Sequence, residues 1–188
     1  IEFHDIMANG NPDSLLRFSQ MARSEGWPGR GVRWRMQAAI KPEMDEDLLR
    51  ALAGGGCSEI VYGLETGSDR LRAAMGKPFS CASAERVLGA TQAAGIRGVV
   101  SLIVGHPEEN DEDFDDTLVF LERARGSVAG VLAQAAVVEP PSRLQRAGRV
   151  VDPNAAQRRL ARLRKRLADL GLEGSPEVAA EKSVAVKS

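Results

Sequence analysis

The chain has 188 residues, of which 43% are hydrophobic and 27% charged, and its formal net charge is -1. That length and apolar content suit one sizeable core, and the near-neutral balance argues against a chain devoted to electrostatic binding of nucleic acid or membrane. Two cysteines, Cys57 and Cys81, are too few for a disulfide framework and form no metal-type pair; no apolar run approaches the roughly 18 residues of a membrane helix, so the expectation is a soluble protein of a reducing cytoplasm.

In chain order, short β-type runs alternate with longer amphipathic runs. "IEFHD" predicts a strand over Ile1 to His4. The chain opens in what reads as mid-strand and without methionine, so residues before it are expected to have been lost or removed. A helix over Asp13 to Ser24 follows, with Leu15, Leu16, Phe18 and Met21 on its stripe, then a strand over Val32 to Ala38 and a helix over Asp45 to Ala53. The pattern continues with a strand over Glu59 to Tyr62, a helix over Ala82 to Ala94, a strand over Gly98 to Val104, a helix over Asp111 to Arg125 and a strand over Gly130 to Val138. "ALAGGGCSEIVYG" and "TQAAGIRGVVSLIVG" repeat one unit, in which a helix ends at glycine, a strand follows and a second glycine turns the chain. After Asp152, "PNAAQRRLARLRKRLADLGL" reads as a basic amphipathic helix whose leucine stripe docks on the barrel or on a partner helix. Its cations, Arg158, Arg159, Arg162, Arg164, Lys165 and Arg166, lack the aromatic neighbours of a nucleic-acid surface, so nucleic acid is not the expected partner. From Glu173 the chain is small, polar and aperiodic, and disorder is expected.

Alternating strands and helices predict an α/β fold, a parallel barrel or open sheet, in which function collects on loops after the C-terminal ends of strands. Those loops hold Asp5 and Asn9, then Gln37, Glu65 to Ser68, Gly105 to Glu109, and Glu139 to Ser142. Asp5 and Asn9 also suit turns, Gln37 a sheet hydrogen bond, Thr66 and Ser68 helix caps, and Ile103 ordinary core. In "EENDEDFDD" the acids can simply favour a helix N-terminus, with Phe114, Leu118 and Leu121 buried and Glu112, Asp113, Asp115 and Asp116 facing water. Asp111, Asp113, Asp115 and Glu122 also fall at ligand positions of an EF-hand loop, but Asp116 sits where that loop requires glycine and a strand precedes it.

Three segments in order, "GCSEIVYGLETGSDRLRAAMGK", "AAGIRGVVSLIVGHPEENDED" and, more loosely, "VVEPPSRL", resemble the second half of a radical S-adenosylmethionine (SAM) enzyme core. "GLETGS" is similar to that family's Gly-Ile-Glu-Ser-Gly-Ser turn, "IVGHPEEN" to Ile-Gly-Leu-Pro-Gly-Glu-Thr, and "FHDIMANGN" to its second strand and loop. The resemblance covers about Ile1 to Leu144 and is greatest to the subgroup that often carries an upstream cobalamin-binding domain. It implies a partial (β/α) TIM-like barrel over residues 1–151, lacking the first strand and cluster loop; the amphipathic pattern then gives the basic helix over 152–172, and composition a disordered tail over 173–188. It implies SAM as ligand, with a 4Fe-4S cluster in the full-length protein only and cobalamin through a separate domain. The family's Cys-x3-Cys-x2-Cys triplet is absent here, so the chain alone is expected to bind no cluster and to be inactive; Cys57 and Cys81 serve as small buried hydrophobes.

The same resemblance implies SAM contacts from Asp5, Asn9, Gln37, Glu65, Thr66 and Ser68. Ile103, Gly105 and either Glu108 or Glu109 would follow the Gly-x-Ile-x-Gly-x-x-Glu adenine motif, with Ser101 in place of its first glycine. Ile103 would pack on adenine, and Gly105 would admit the ligand to the backbone. Lys77 matches the lysine of the family's Met-x-Lys segment. No metal ligands and no catalytic residue are assigned, and the substrate is not legible. The alternative is a noncatalytic α/β scaffold that mediates assembly through its basic helix.

Overall fold

The computed structural model describes residues 1–3, 7–138 and 141–174. Five strands, β1 (Trp34–Ala38), β2 (Cys57–Glu65), β3 (Arg97–Val104), β4 (Gly130–Ala135) and the two-residue β5 (Glu173–Gly174), form one sheet in that order. Every pairing is parallel. Strands adjacent in sequence are adjacent in space with helices between them, which makes an α/β sheet of partial-barrel type. Residues 1–3 run along the outer edge of β1 through one parallel bridge, Glu2 to Arg35. The strand expected over Ile1 to His4 is thus reduced to a bridge in the part that is described.

Seven helices connect and cover the sheet: α1 (Pro12–Ser24), α2 (Glu46–Gly54), α3 (Asp69–Ala74), α4 (Cys81–Ala93), α5 (Asp111–Ala124), α6 (Arg143–Arg146) and α7 (Pro153–Leu170). Each starts at an Asn, Asp or Ser whose side chain accepts a first-turn amide: Asn11, Asp45, Ser68, Ser80, Asn110, Ser142 and Asp152. These caps satisfy donors that the helix itself leaves unpaired, at about 1 kcal/mol apiece.

Burial alternates along the strands because successive side chains face opposite sides of the sheet. In β1, Trp34, Met36 and Ala38 are buried while Arg35 and Gln37 are exposed. Ile60, Tyr62, Leu64, Val100 and Leu102 pack with Leu49, Leu52, Leu88, Phe114 and Phe120 of the helices in one core. Leu160, Leu163 and Leu167 belong to that same core, so the leucine stripe of α7 docks on the sheet, contributing roughly 2 kcal/mol per buried leucine. The chain then returns, and Glu173 and Gly174 pair with Gly130 and Val131 of β4 where the sequence suggested a disordered tail. The opposite face of the sheet carries Gln37, Val61 and Leu132 and lines two cavities.

Candidate functional site

The larger cavity, about 590 Å³, lies against the C-terminal ends of β1 to β4 and is lined by Gln37, Gly63, Glu65, Ser101 and Gln134 from the strands, with Lys77 and Phe79 from the segment after α3. Its size is in the range of small-ligand sites. β1 delivers Gln37 on its exposed side, and β4 delivers Gln134, two residues after Leu132 on the same face. β2 delivers Glu65 through an irregularity, since its register with β3 shifts between Gly63 and Glu65.

Glu65 has φ 66, the one positive value outside glycine among the described residues. Such a backbone is costly for a non-glycine residue and persists only where the surroundings impose it. Its carboxylate accepts from Lys77 Nζ at 2.8 Å, with the Glu65 side chain 14% and the Lys77 side chain 38% exposed. Gly63 makes room for this pair: a Cβ there would lie 2.9 Å from Glu65 Oε1.

The turn that follows Glu65 is stapled to α5. Thr117 Oγ1 accepts from the Gly67 amide at 2.9 Å and lies 3.1 Å from Thr66 Oγ1. Ser68 Oγ donates to Asp113 Oδ1 at 2.7 Å. Gly67 is required there, because a Cβ would fall 2.5 Å from Thr117 Cα. Thr66 and Ser68 are therefore buried in contacts with α5, and Ser68 also caps α3.

Other residues singled out from sequence are engaged elsewhere. Asn9 is 1% exposed and holds the backbone beyond β1, donating to Ala39 O at 2.8 Å and accepting from the Ala39 amide at 2.9 Å. Ile103 is half-buried on β3, outside the cavity lining. Gly105 has φ 82, and a Cβ there would meet Ala156 Cβ at 2.4 Å, so the close approach it permits is that of α7. Glu109 accepts from the Gly105 amide at 2.7 Å and from Arg159 at 3.0 Å. Burial raises its carboxyl above the ordinary value, although the Gly105 amide and Arg159 both act in the opposite direction. Glu108 turns its carboxylate toward Arg149, at 4.0 Å, while its carbonyl accepts from Arg70. His106 Nδ1 accepts from the Glu108 amide at 3.2 Å, and burial lowers its pKa. Asp5 lies outside the described residues. The structure thus gathers Gln37 and Glu65 at the cavity, with Lys77, Ser101 and Gln134. Gln134 was missed from sequence, although its alternation with Leu132 carried the signal.

Asp113 corrects an expectation. Rather than facing water it is 2% exposed, completes a capping box with Asn110 and pairs with Arg70. Burial alone would raise its carboxyl, but hydrogen bonds from Arg70, Ser68 and the Asn110 amide outweigh that and hold it at about 2.

An iron-sulfur cluster does not fit the described residues. Among them no three metal-binding side chains converge, and both cysteines are buried. Burial pushes the Cys57 thiol up to about 12 and raises Cys81 as well, the reverse of what a thiolate ligand needs.

A parallel partial barrel with a cavity at the strand C-termini is the arrangement of βα-barrel enzymes. The profile of the radical SAM superfamily matches residues 17–121, more than half of the chain. The chain belongs to that superfamily. It is 24% identical over 123 residues to an uncharacterised methyltransferase of Pyrococcus horikoshii, covering 65% of this chain and 26% of that protein. It is 33% identical over 115 residues to the tRNA-2-methylthio-N(6)-dimethylallyladenosine synthase of Mycolicibacterium smegmatis, covering 57% and 22%. The chain thus spans about a quarter of the length of these relatives. In fold it is similar to coproporphyrinogen III oxidase of Escherichia coli (TM-score 0.66, 13% identity, 82% of this chain and 37% of that one). It is also similar to the radical SAM methyltransferase TsrM of Kitasatospora setae, a structure with cobalamin and a 4Fe-4S cluster bound (TM-score 0.55, 17% identity, 66% and 24%).

Proposed function

We propose that this chain supplies the SAM-binding side of a radical SAM enzyme, with the Glu65–Lys77 pair at the cavity as its recognition element. One observation carries the reading: a carboxylate and an ammonium, 2.8 Å apart, stand at a cavity whose other polar side chains are Gln37, Lys41, Ser101 and Gln134, the rest of its lining being largely apolar. SAM carries an amino-acid zwitterion and a sulfonium at one end and a nucleoside at the other. Glu65 accepts from its ammonium or ribose hydroxyls, Lys77 receives its carboxylate, and Phe79, Val61 and Leu132 supply apolar contact. Thr66, Ser68 and Glu109 hold the rim, and Asn9 anchors the chain beyond β1.

A 4Fe-4S cluster, which the described residues do not hold, would supply the reducing electron for SAM if the rest of the enzyme carries one. Cobalamin, in this reading, belongs to a separate domain, and the site of action is the cytoplasm. No described helix is long and apolar enough to cross a membrane. The assembly-module alternative is less favoured, because Arg159, Arg162 and Arg166 of the basic helix are committed to Asp111, Asp115 and Glu122 of α5.

Titration of the isotopically labelled chain with SAM, followed by NMR, tests the assignment. Amides of Gly63 to Glu65, Lys77 to Phe79, Ser101 and Gln134 are expected to shift with saturation, while the outer faces of α5 and α7 stay still. Glu65→Ala is expected to abolish the response. Shifts confined to α7, or none at millimolar SAM, would refute the reading.

A further inference from the structure

Arg72 is fully buried, at 0% exposure, inside the six-residue helix α3 that separates Glu65 from Lys77. Removing a guanidinium from water is expensive, and an apolar side chain would fill such a position at less cost. Its contacts are divided between the two sides of the site. One guanidinium nitrogen donates to the carbonyl of Thr66, next to Glu65. The same nitrogen reaches Cys81 Sγ at 3.3 Å, and the guanidinium stands 4.8 Å from the centre of the Phe79 ring, two residues beyond Lys77. The other terminal nitrogen pairs with Asp69, whose Oδ1 also accepts the Cys81 amide at 2.8 Å. The Arg72 carbonyl accepts the amide of Lys77 itself at 3.1 Å.

One residue therefore grips the backbone beside Glu65 with its side chain and the backbone of Lys77 with its carbonyl, and holds the chain after Lys77 through Phe79, Asp69 and Cys81. Its Nε has no hydrogen-bond partner among the described residues, a buried omission that calls for an explanation. We infer that Arg72 is a positioning residue that sets the spacing of the Glu65–Lys77 pair, and thereby the recognition of the amino-acid end of the ligand. The second half of this inference rests on the SAM reading above. The first half concerns this chain alone.

Two measurements on Arg72→Met separate them. In the free protein, nuclear Overhauser contacts between the Lys77 ε-methylene and the Glu65 γ-methylene are expected in wild type and lost in the variant, while contacts among Ile60, Val100 and Phe114 persist. In binding, Arg72→Met is expected to weaken SAM about tenfold, the scale of one charge-assisted contact, yet leave 5′-methylthioadenosine within about twofold, since that nucleoside lacks the amino-acid end. General destabilisation would weaken both ligands together. Arg72→Lys keeps charge but loses the planar fork, and an intermediate loss is expected; it also serves if Arg72→Met does not fold. Retention of the Lys77–Glu65 contacts in either variant would overturn the inference, as would equal losses for the two ligands. If wild type binds neither ligand, the SAM reading fails, and the contacts in the free protein still decide the role of Arg72.

Discussion

Asp113 sits in a run of six residues, "DEDFDD", of which five are acids with superficially equal claims on the helix N-terminus, and it alone is drawn inside. The difference is geometric: as the third residue of α5 it reaches back to the Asn110 amide, and the same carboxylate meets Ser68 and Arg70 at the start of α3. Its folded value of about 2 is depressed from an ordinary 3.8. A depressed carboxylate stabilises the fold above its unfolded value, and that contribution disappears as pH falls through the folded one; here it is on the order of 2 kcal/mol. Denaturant unfolding of wild type and Asp113→Asn should therefore show a gap of about 2 kcal/mol at neutral pH that closes between about pH 5 and pH 2. A gap independent of pH would mean that the carboxylate charge contributes nothing there.

At the scale of elements, three other acids of α5, Asp111, Asp115 and Glu122, answer to α7. Arg159 bridges Glu109 and Asp111, Arg162 pairs with Asp115 at 2.8 Å and lies 5.1 Å from the centre of the Phe114 ring, and Arg166 pairs with Glu122 at 2.6 Å. Spacings of three and four residues keep these arginines on one side of α7, and the leucine stripe beside them enters the core. The ion pairs orient the helix more than they stabilise it, because most are exposed and worth a few tenths of a kcal/mol each. Gly105, just after β3, lets α7 approach closely at Ala156. Gly105→Ala combines an unfavourable φ of 82 with contacts of 2.4 and 2.9 Å to Ala156, and should cost roughly 2–4 kcal/mol in thermal or denaturant unfolding. Adding Ala156→Gly should restore part of that loss, since it removes the 2.4 Å contact and leaves the backbone one. Unchanged stability together with weakened SAM binding would instead give this glycine to the ligand.

For the whole molecule, the period-two and helical patterns placed β1, β3, β4 and the long helices close to their observed limits, because burial on one face is written directly into alternation. Helix α3 was given no range, although Ser68 read as a helix cap: six residues carry too little periodicity to mark its extent. β5 was missed because its pairing is created by the return of the chain after α7, not by local apolar pattern. The positions of Gln37 and Glu65 near the C-terminal ends of their strands were legible. The interior positions of Arg72 and Asp113 were not, since charged residues read as solvent-facing until partners distant in sequence are known; Arg70 and Asp113 lie 43 residues apart.

The two ends of the assembled sheet carry different groups. At the N-terminal end a line of alternating charge runs from Glu2 to β5, with no member from β4: Glu2 to Arg35 at 2.6 Å, Arg35 to Glu59 at 3.5 Å, Glu59 to Arg97 at 3.3 Å and Arg97 to Glu173 at 2.8 Å. Glu59 is its centre, 20% exposed between two arginines, while Glu65 stands six residues on, at the cavity end of the same strand. In parallel barrels the former end serves stability and the latter ligand chemistry. Glu59→Gln should lower unfolding stability by about 1 kcal/mol, less at high salt, and leave the SAM response in the NMR titration intact. Glu65→Gln should do the opposite, sparing stability while removing most of that response, since it takes the charge from a strained residue that the core does not need. If Glu59→Gln weakens SAM as much as Glu65→Gln does, the two ends are coupled through β2 and the division of labour fails.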